Sequence, residues 1–529
     1  MTTNKINTWI PLLFSLAMAI GMMIGYKMRG DMPTNRKFFS LEKHNTLQEI
    51  TDLLNSRYVD SVNMKTLTDT AIQAVLAKLD PHSVFIPATE VEATNEEIKG
   101  SFYGIGIEYA MIEDSLNVIH IVPKGPAEKA GLQIGDVIVK AGDSAISGIK
   151  IKNEKIRSIL RGNEGSKIAL VISRNGKVQT LTVGRGMIPL VSVDAAYMID
   201  SSIGYIKLNK FSSSTYKEFM NGLLTLKKAG MQKLILDLRG NGGGVLEEAT
   251  EIADELLPGD KLITYTEGLH HPKKEYRCRR EGQFEKGKLV VLVDEGSASA
   301  SEVLLGALQD WDRGTIIGRR SFGKGLVQEQ YNLSDNSALR LTVARYYTPI
   351  GRSIQRSYKN GTKSYYTDIT KRVTNGEMYT ADSVKNDTTK LYKSQAGKKL
   401  YGGGGITPDY FVAADTANIG PLPLQLYTKG TVNDFGYKYY KRNSTLLLQY
   451  KTAPQFIRNF TLSPSDLQYF ETLAAKDSIN IKKITEKEKT YIAQILKASI
   501  ARQLFKTDGY MQVINMEDKV IKKAVEVMK

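Results

Sequence analysis

The chain has 529 residues, more than one hydrophobic core holds together, so roughly three or four domains are expected. Hydrophobic residues make up 42% and charged residues 24%, ordinary values that exclude a collagen-like chain and confine disorder to local segments. The net charge of +16 favours polyanions or an acidic membrane surface only in a general way. Basic groups such as Lys227-Lys228, Arg279-Arg280 and Lys482-Lys483 are short and scattered, and no nucleic-acid motif is present. A single cysteine, Cys278, excludes an intramolecular disulfide and a cysteine-rich metal site. Its polar surroundings, Glu275 to Arg280, predict a loop carrying an exposed thiol.

Thr8 to Tyr26 contains no charged residue and as a helix would span roughly 28 Å, about the hydrocarbon thickness. Lys5 precedes it and Lys27 and Arg29 follow, so it reads as a signal anchor or a signal peptide. Ala17-Met18-Ala19 resembles a cleavage site, yet cutting there would leave Ile20 to Ile24 exposed, which favours an uncleaved anchor over residues 8–26. The positive-inside rule disagrees, because Lys27, Arg29, Arg36 and Lys37 outnumber the basic residues before the segment and would keep the body cytoplasmic.

His44 to Leu79 has helical apolar spacing and stops at Asp80-Pro81, since proline disfavours helix before it. From Ser101 to Gly184 short strands such as Leu116 to Val122 and Lys167 to Ser173 alternate with Gly/Pro/Asn turns. Phe102-Tyr103-Gly104-Ile105-Gly106-Ile107 is followed by Val122 to Leu132 and by Ile134-Gly135-Asp136-Val137-Ile138. A glycine-flanked loop before a strand can offer free N–H groups to a chain-terminal carboxylate, and the strand edge can add the peptide as a further strand. Together these segments resemble a PDZ domain.

A second region begins near Val193. Strand Ile203 to Leu208, helix Ser214 to Ala229, strand Lys233 to Leu238, helix Val245 to Leu257 and strand Leu289 to Val293 alternate, which predicts a mixed or parallel sheet. Thr362 to Lys398 reads as an exposed insertion or long loop. Four glycines, Gly402 to Gly405, suit a tight or mobile connection. Beyond Asp415 helical patterns dominate, as in Glu486 to Phe505.

Three segments can carry chemistry. In Leu292-Val293-Asp294-Glu295-Gly296-Ser297-Ala298-Ser299-Ala300-Ser301-Glu302 a strand ends and a helix starts among serines. A hydroxyl there faces converging N–H groups that stabilise an oxyanion, although serine is also a favoured N-cap with no catalytic role. The segment alone does not choose among Ser297, Ser299 and Ser301. A serine needs a base, and His44, His82, His120, His270 and His271 all lack a convincing triad context. Lysine can serve if its amine is neutral, at a cost of roughly 4 kcal/mol of lost hydration. Ser321-Phe322-Gly323-Lys324-Gly325-Leu326-Val327-Gln328 can host such a lysine, with glycines for close approach and apolar residues to exclude water. Finally, Asp237-Leu238-Arg239-Gly240-Asn241-Gly242-Gly243-Gly244 joins a buried strand to a helix through a loop suited to a phosphate or an oxyanion. No Gly-Lys-Ser/Thr follows, so a nucleotide site is not indicated.

In order along the chain, these motifs resemble the C-terminal processing peptidases, or tail-specific proteases, from about His44 to Pro408. Leu79-Asp80-Pro81-His82-Ser83 and Ile203-Gly204-Tyr205-Ile206 add to the match. The resemblance implies Ser299 as nucleophile, Lys324 as general base and Gln328 as the residue that orients the lysine. It implies an oxyanion hole from the Ala300 N–H with Gly243 or Gly244, and capture of the substrate's terminal carboxylate by Gly104, Ile105 and Gly106. It implies no metal or cofactor, protein substrates with exposed C-termini, and a body on the periplasmic side of a bacterial inner membrane; the scattered basic residues give no nucleic-acid partner, and the helical part after Asp415, outside the match, is a candidate for homo-oligomer contacts.

The expected fold is α+β and multidomain. Residues 1–30 form the anchor or signal segment, 40–98 a helical N-terminal domain, 100–186 the PDZ domain, 190–414 an α/β serine peptidase core and 415–529 a helical extension. The competing class is a noncatalytic PDZ scaffold, against which intact Ser299, Lys324 and Gln328 argue.

Overall fold

The structure is a computed structural model that describes residues 6–30, 46–384, 388–415, 421–481 and 484–529. Lys5, Arg36, Lys37, His44, Lys482 and Lys483 lie outside the described residues. The chain divides into two compact units, Met1–Ala71 and Ile72–Lys529.

In the first unit, helix Ile6–Gly30 contains the stretch Trp9–Lys27. Among the described residues it is the one helix long and apolar enough to cross a membrane. The helical pattern after His44 forms two helices. Thr46–Arg57 ends, and Met64–Leu76 restarts where the Asn63 side chain accepts the Thr66 N–H at 3.1 Å.

The second unit is built on a six-stranded sheet. Its strands run Val193–Met198, Ile203–Leu208, Lys233–Asp237, Leu289–Val293, Thr315–Gly318, Tyr410–Phe411. The first pair is antiparallel and the others are parallel. Strand residues alternate between two faces. Ile206, Leu208, Leu234, Leu236, Val291 and Val293 pack under helices Thr215–Lys228, Leu246–Leu256 and Ala300–Asp310. Tyr205, Ile235, Val290, Leu292 and Ile317 pack under the last helix, Lys519–Met528, through Val520, Ile521, Ala524 and Met528. Cover on both faces explains why Leu289–Val293 reads as an unbroken apolar run with no period of two.

A second, five-stranded sheet combines Val84–Ile86, Leu262–Gly268, His271–Arg277, Leu326–Asn332 and Ala338–Tyr347. Residues 101–189 form the PDZ module. Entry strand Ser101–Gly104 pairs with exit strand Gly186–Pro189, and a separate sheet runs from edge strand Ile107–Ile112 to Lys177–Gly184. Helices between Pro421 and Asn515 make their own core around Phe435, Phe456, Phe470 and Leu496. The helix expected over Glu486 to Phe505 breaks at Phe505 and Lys506 (φ 59°) and then continues to Asn515.

Two local expectations are corrected. The described part of Thr362 to Lys398 is not simply an exposed insertion or long loop. Helix Gly361–Thr374 buries Tyr365 and Arg372, and the Arg372 guanidinium donates to the Ser321 carbonyl at 2.7 Å. Cys278 is not an exposed thiol in a loop. The polar stretch is edge strand His271–Arg277, and Cys278 tucks behind its end, only 4% exposed, with its N–H on the Lys261 carbonyl. Burial, followed by the nearby Asp254 carboxylate, pushes the thiol up to about 12.

Phe219 is fully buried beneath the central sheet, so Phe219→Ala should remove about 3–5 kcal/mol of stability. Val178→Ala, at a position 68% exposed, should shift the urea midpoint by almost nothing. Equal midpoints for the two variants would contradict this core.

Candidate active site

Strand Leu289–Val293 ends in a turn, and helix Ala300–Asp310 begins immediately after Ser299. Ser299 has φ 57° and ψ −115°, a conformation that costs a residue with a side chain on the order of 1–3 kcal/mol. The Glu302 and Val303 N–H groups bond the Ser299 carbonyl at 2.8 and 3.0 Å, and the Ser299 side chain faces the Glu302 N–H in a capping box, an arrangement that leaves its hydroxyl proton undonated. Its neighbours are committed. Ser297 Oγ donates to the Leu238 carbonyl at 2.8 Å, and Ser301 Oγ to the Asn241 carbonyl at 2.9 Å, both fully buried. Of the three serines that the sequence leaves open, Ser299 alone does not give its hydroxyl proton to a backbone carbonyl.

The glycine loop lies against this turn. Asn241 is fully buried and stitches the two together. Its carbonyl accepts the Ala298 N–H at 2.9 Å, its Nδ2 donates to the Leu208 carbonyl and its Oδ1 accepts the Gly243 N–H at 2.9 Å. Gly243 (φ 96°) approaches so closely that a Cβ would meet the Ala298 carbonyl at 2.6 Å and Ser299 Cβ at 2.7 Å. At Gly244 (φ 142°) a Cβ would sit 1.9 Å from the Phe211 carbonyl. Neither position admits a side chain.

One carboxylate joins the serine turn to the lysine turn. Glu302, fully buried, accepts four hydrogen bonds: from Ser321 Oγ at 2.5 Å and from the N–H groups of Gly323, Lys324 and Ser299 at 2.7, 2.8 and 2.9 Å. The Ser299 and Lys324 N–H groups share a single oxygen, Oε2. Buried Tyr346 repeats the link, its hydroxyl lying 3.1 Å from the Ser299 carbonyl and 2.7 Å from the Lys324 carbonyl. Burial raises the Glu302 pKa, against the pull of its donors. The glycines at 402–405 are held here too, since the following Ile406 N–H donates to Ser321 Oγ at 2.6 Å.

Burial, reinforced by the Arg340 charge, lowers the Lys324 amine to about 8, against Glu302 and Asp80. Its Nζ donates to Gln328 Oε1 at 2.9 Å. Gln328 lies on strand Leu326–Asn332 at a register shift after Val327, where a bulge re-aims the side chain. Its Nε2 donates to the His82 carbonyl, which turns the amide oxygen toward the lysine. Asp80 fixes that stretch by accepting the His82 and Ser83 N–H groups at 2.7 and 2.8 Å. The His82 ring is no triad base. Burial, then Lys324, lowers it to about 4, and its Nε2 meets the Tyr365 hydroxyl at 2.8 Å.

In the PDZ module, Gly104, Ile105 and Gly106 lead into strand Ile107–Ile112, which pairs on one side only, with Ser115–Ile121. The Ala127 N–H holds the Ile105 carbonyl at 2.9 Å, and Arg161 lies over the Phe102 ring at 4.3 Å beside this loop. The open edge of that strand fits peptide addition.

Glu302, Tyr346 and Asn241 were not singled out in the sequence. Only Glu302 left a usable signal, the Ser-x-x-Glu spacing of a capping box at 299 and 302. Tyr346 sits among aromatic neighbours on a long strand, and nothing local marks it.

A strained serine, a buried lysine and a close-packed glycine loop in one chain with a PDZ module define a serine peptidase of the tail-processing class. The comparisons agree. Residues 202–364 match the model of peptidase family S41, residues 104–184 a PDZ domain, and residues 424–506 a family of unknown function. The carboxy-terminal-processing protease of Bartonella bacilliformis is 34% identical over 334 residues, covering 62% of this chain and 76% of that protein. A probable CtpA-like serine protease of Staphylococcus saprophyticus is 32% identical, covering 57% and 61%. Among solved structures, a photosystem II D1 C-terminal processing protease is 30% identical with a TM-score of 0.34, covering 60% of this chain and 91% of that one. The chain belongs to the carboxy-terminal-processing protease family, and it is a PDZ-bearing serine endopeptidase rather than a noncatalytic scaffold.

Glu302→Gln keeps the volume but turns an amide donor toward groups that are themselves donors. It should cut kcat on an unfolded protein about a hundredfold, because a small displacement of either turn misaligns the site. Steady-state cleavage checks this; undiminished kcat would show that the carboxylate does not hold the two turns.

Proposed function

We propose that Ser299 attacks the peptide carbonyl while Lys324 Nζ removes its proton and later returns it to the leaving amine, after which water hydrolyses the acyl-enzyme. Gln328 holds the amine in place. The observation that carries this reading is the Glu302 carboxylate, which brackets the backbone of Ser299 and Lys324 while the serine hydroxyl proton is not given to a backbone carbonyl. The Ala300 N–H would receive the developing oxyanion. Gly243 already gives its N–H to Asn241, which favours Gly244 as the second donor.

The substrate in this reading is a protein with a free C-terminus, whose carboxylate is received by Gly104, Ile105 and Gly106 and whose chain extends along strand Ile107–Ile112. The apolar helix Trp9–Lys27 supports anchoring in a bacterial inner membrane with the body on the periplasmic side. Exposed Ile50 and Leu53 on helix Thr46–Arg57 support self-association.

Ser299→Ala and Lys324→Ala should each lower cleavage of an unfolded protein at least about a thousandfold, and Gln328→Ala about tenfold. Equal cleavage by wild type and the first two variants would reject the assignment. The base must be neutral, so kcat/KM should climb about tenfold per pH unit below pH 8 and level off above it. A limb with its midpoint near 6.5 would instead point to histidine. Amidating the substrate's C-terminus should raise KM about tenfold and leave kcat unchanged, since a charge-assisted contact is lost far from the scissile bond. An unchanged KM would remove the terminal carboxylate from recognition.

A further inference from the structure

The glycine loop is held from the second face of the central sheet, where the mechanism above has no part. Asp237, fully buried, accepts from Arg239 Nε at 2.9 Å, from Arg239 Nη2 at 2.6 Å and from the Tyr205 hydroxyl at 2.8 Å. Lys207 Nζ donates to the Arg239 carbonyl at 2.6 Å and lies 3.5 Å from Asp237. Arg239 is the residue before Gly240, so its backbone is the near end of the loop. At the next residue, the Gly240 N–H donates to Asp294 Oδ1, which ties the loop to the serine turn.

This cluster is completed from the other end of the chain. Asp518 Oδ2 accepts Arg239 Nη1 at 2.7 Å, while its Oδ1 accepts the Val520 and Ile521 N–H groups at 2.7 and 3.1 Å. One oxygen caps the last helix and the other grips the loop's arginine. The helix itself is fixed by Val520, Ile521, Ala524 and Met528 on the sheet, and by Lys233 and Lys288 Nζ on the Met528 carbonyl at 2.8 and 3.2 Å. With Asp518 the cluster has two carboxylates against two cations. Without it Arg239 keeps one anionic partner and an unopposed Nη1.

We propose that the C-terminal helix Lys519–Met528 is a positioning element of the peptidase, with Asp518 holding Arg239 so that the glycine loop keeps its oxyanion-binding conformation. The inference rests on the reading of Ser299 and the glycine loop as the reacting site. Asp518 touches no substrate; it acts through Arg239. Apolar contacts alone would suffice to anchor a helix, whereas a carboxylate divided between the helix start and Arg239 sets where the helix and the loop stand relative to each other.

Asp518→Asn isolates the claim, because asparagine still caps a helix but no longer carries the charge that Arg239 faces. In the full chain, this variant should lower kcat about tenfold with KM for a tail-bearing peptide within about twofold, and the melting temperature should fall by no more than about 2 °C. The ascending limb near pH 8 should stay in place, since Lys324 is untouched, and Asp518→Glu should recover most of the rate. Lys522→Ala, on the exposed side of the same helix, should behave as wild type. Unchanged kcat in Asp518→Asn, with Ser299→Ala inactive, would overturn this inference alone. So would a variant that fails to fold, or a loss of rate that follows melting temperature and is not recovered by glutamate, because either assigns Asp518 to stability. Activity surviving in Ser299→Ala would overturn the reading of the site and this inference with it.

Discussion

The site depends on one buried carboxylate. Glu302 stands in the first turn of helix Ala300–Asp310, where the helix end favours negative charge, and it is closed off from water. A carboxylate in that position is stable only when its lone pairs are occupied, and four donors from two remote segments occupy them. The requirement works in both directions. The charge needs the Ser321-to-Lys324 turn as much as the turn needs the charge, so the serine and lysine segments, 25 positions apart (324 minus 299), are held as one body. That body also supports the strained backbone of Ser299, which the close approach of Gly243 leaves little room to relax.

Lys324 shows the complementary condition. An amine serves as a base only if its proton leaves near neutral pH, which requires a dry setting and no carboxylate to pair with. Glu302 is the stronger of the two negative charges acting on it, yet its oxygens are taken by the Ser321 hydroxyl and three backbone N–H groups, and the amine is given the neutral oxygen of Gln328 instead. The cost is a matter of sign. Folding lowers this group's pKa from 10.5 to about 8, so below pH 8 the fold carries a penalty of about 3 kcal/mol for an ammonium it disfavours. The penalty fades as pH rises from 8 toward 10.5. In the proposed role of Lys324 as base, catalytic readiness is therefore nearly complete at the pH where the stability penalty only begins to fade.

What the sequence could disclose follows the range of the interactions. Strand Leu289–Val293 and the helix starts are local, written in apolar runs and capping residues, and the structure places them within a residue or two. The choice among Ser297, Ser299 and Ser301 is not local. It depends on which hydroxyls meet the Leu238 and Asn241 carbonyls, about 60 positions away, and only a family resemblance could anticipate it. Cys278 was misread because an edge strand that is polar on both faces gives no alternation, so the residue that turns inward at its end has no local mark. The stretch that contains Tyr365 reads as exposed for a related reason. A mostly polar helix hides the few side chains that close over Phe322 and Arg356, where the guanidinium sits 3.9 Å from each ring.

The same reasoning explains why the chain's last segment belongs to the peptidase rather than to an appendage. A mostly parallel sheet is stable only with both faces covered. Here the helices Thr215–Lys228, Leu246–Leu256 and Ala300–Asp310 all pack on one face, together with the serine turn. The opposite face carries Tyr205, Ile235, Leu292 and Ile317, which water would otherwise meet, and it carries the Asp237–Arg239 pair, which needs a second anion. Among the described residues no segment between Val193 and Phe411 supplies that cover, whereas helix Lys519–Met528 supplies the apolar residues and its N-cap, Asp518, the carboxylate. The reach from position 518 back to position 239 is therefore a consequence of where the other helices lie: once they share one face, the other face has to be completed from outside the core's own stretch of sequence.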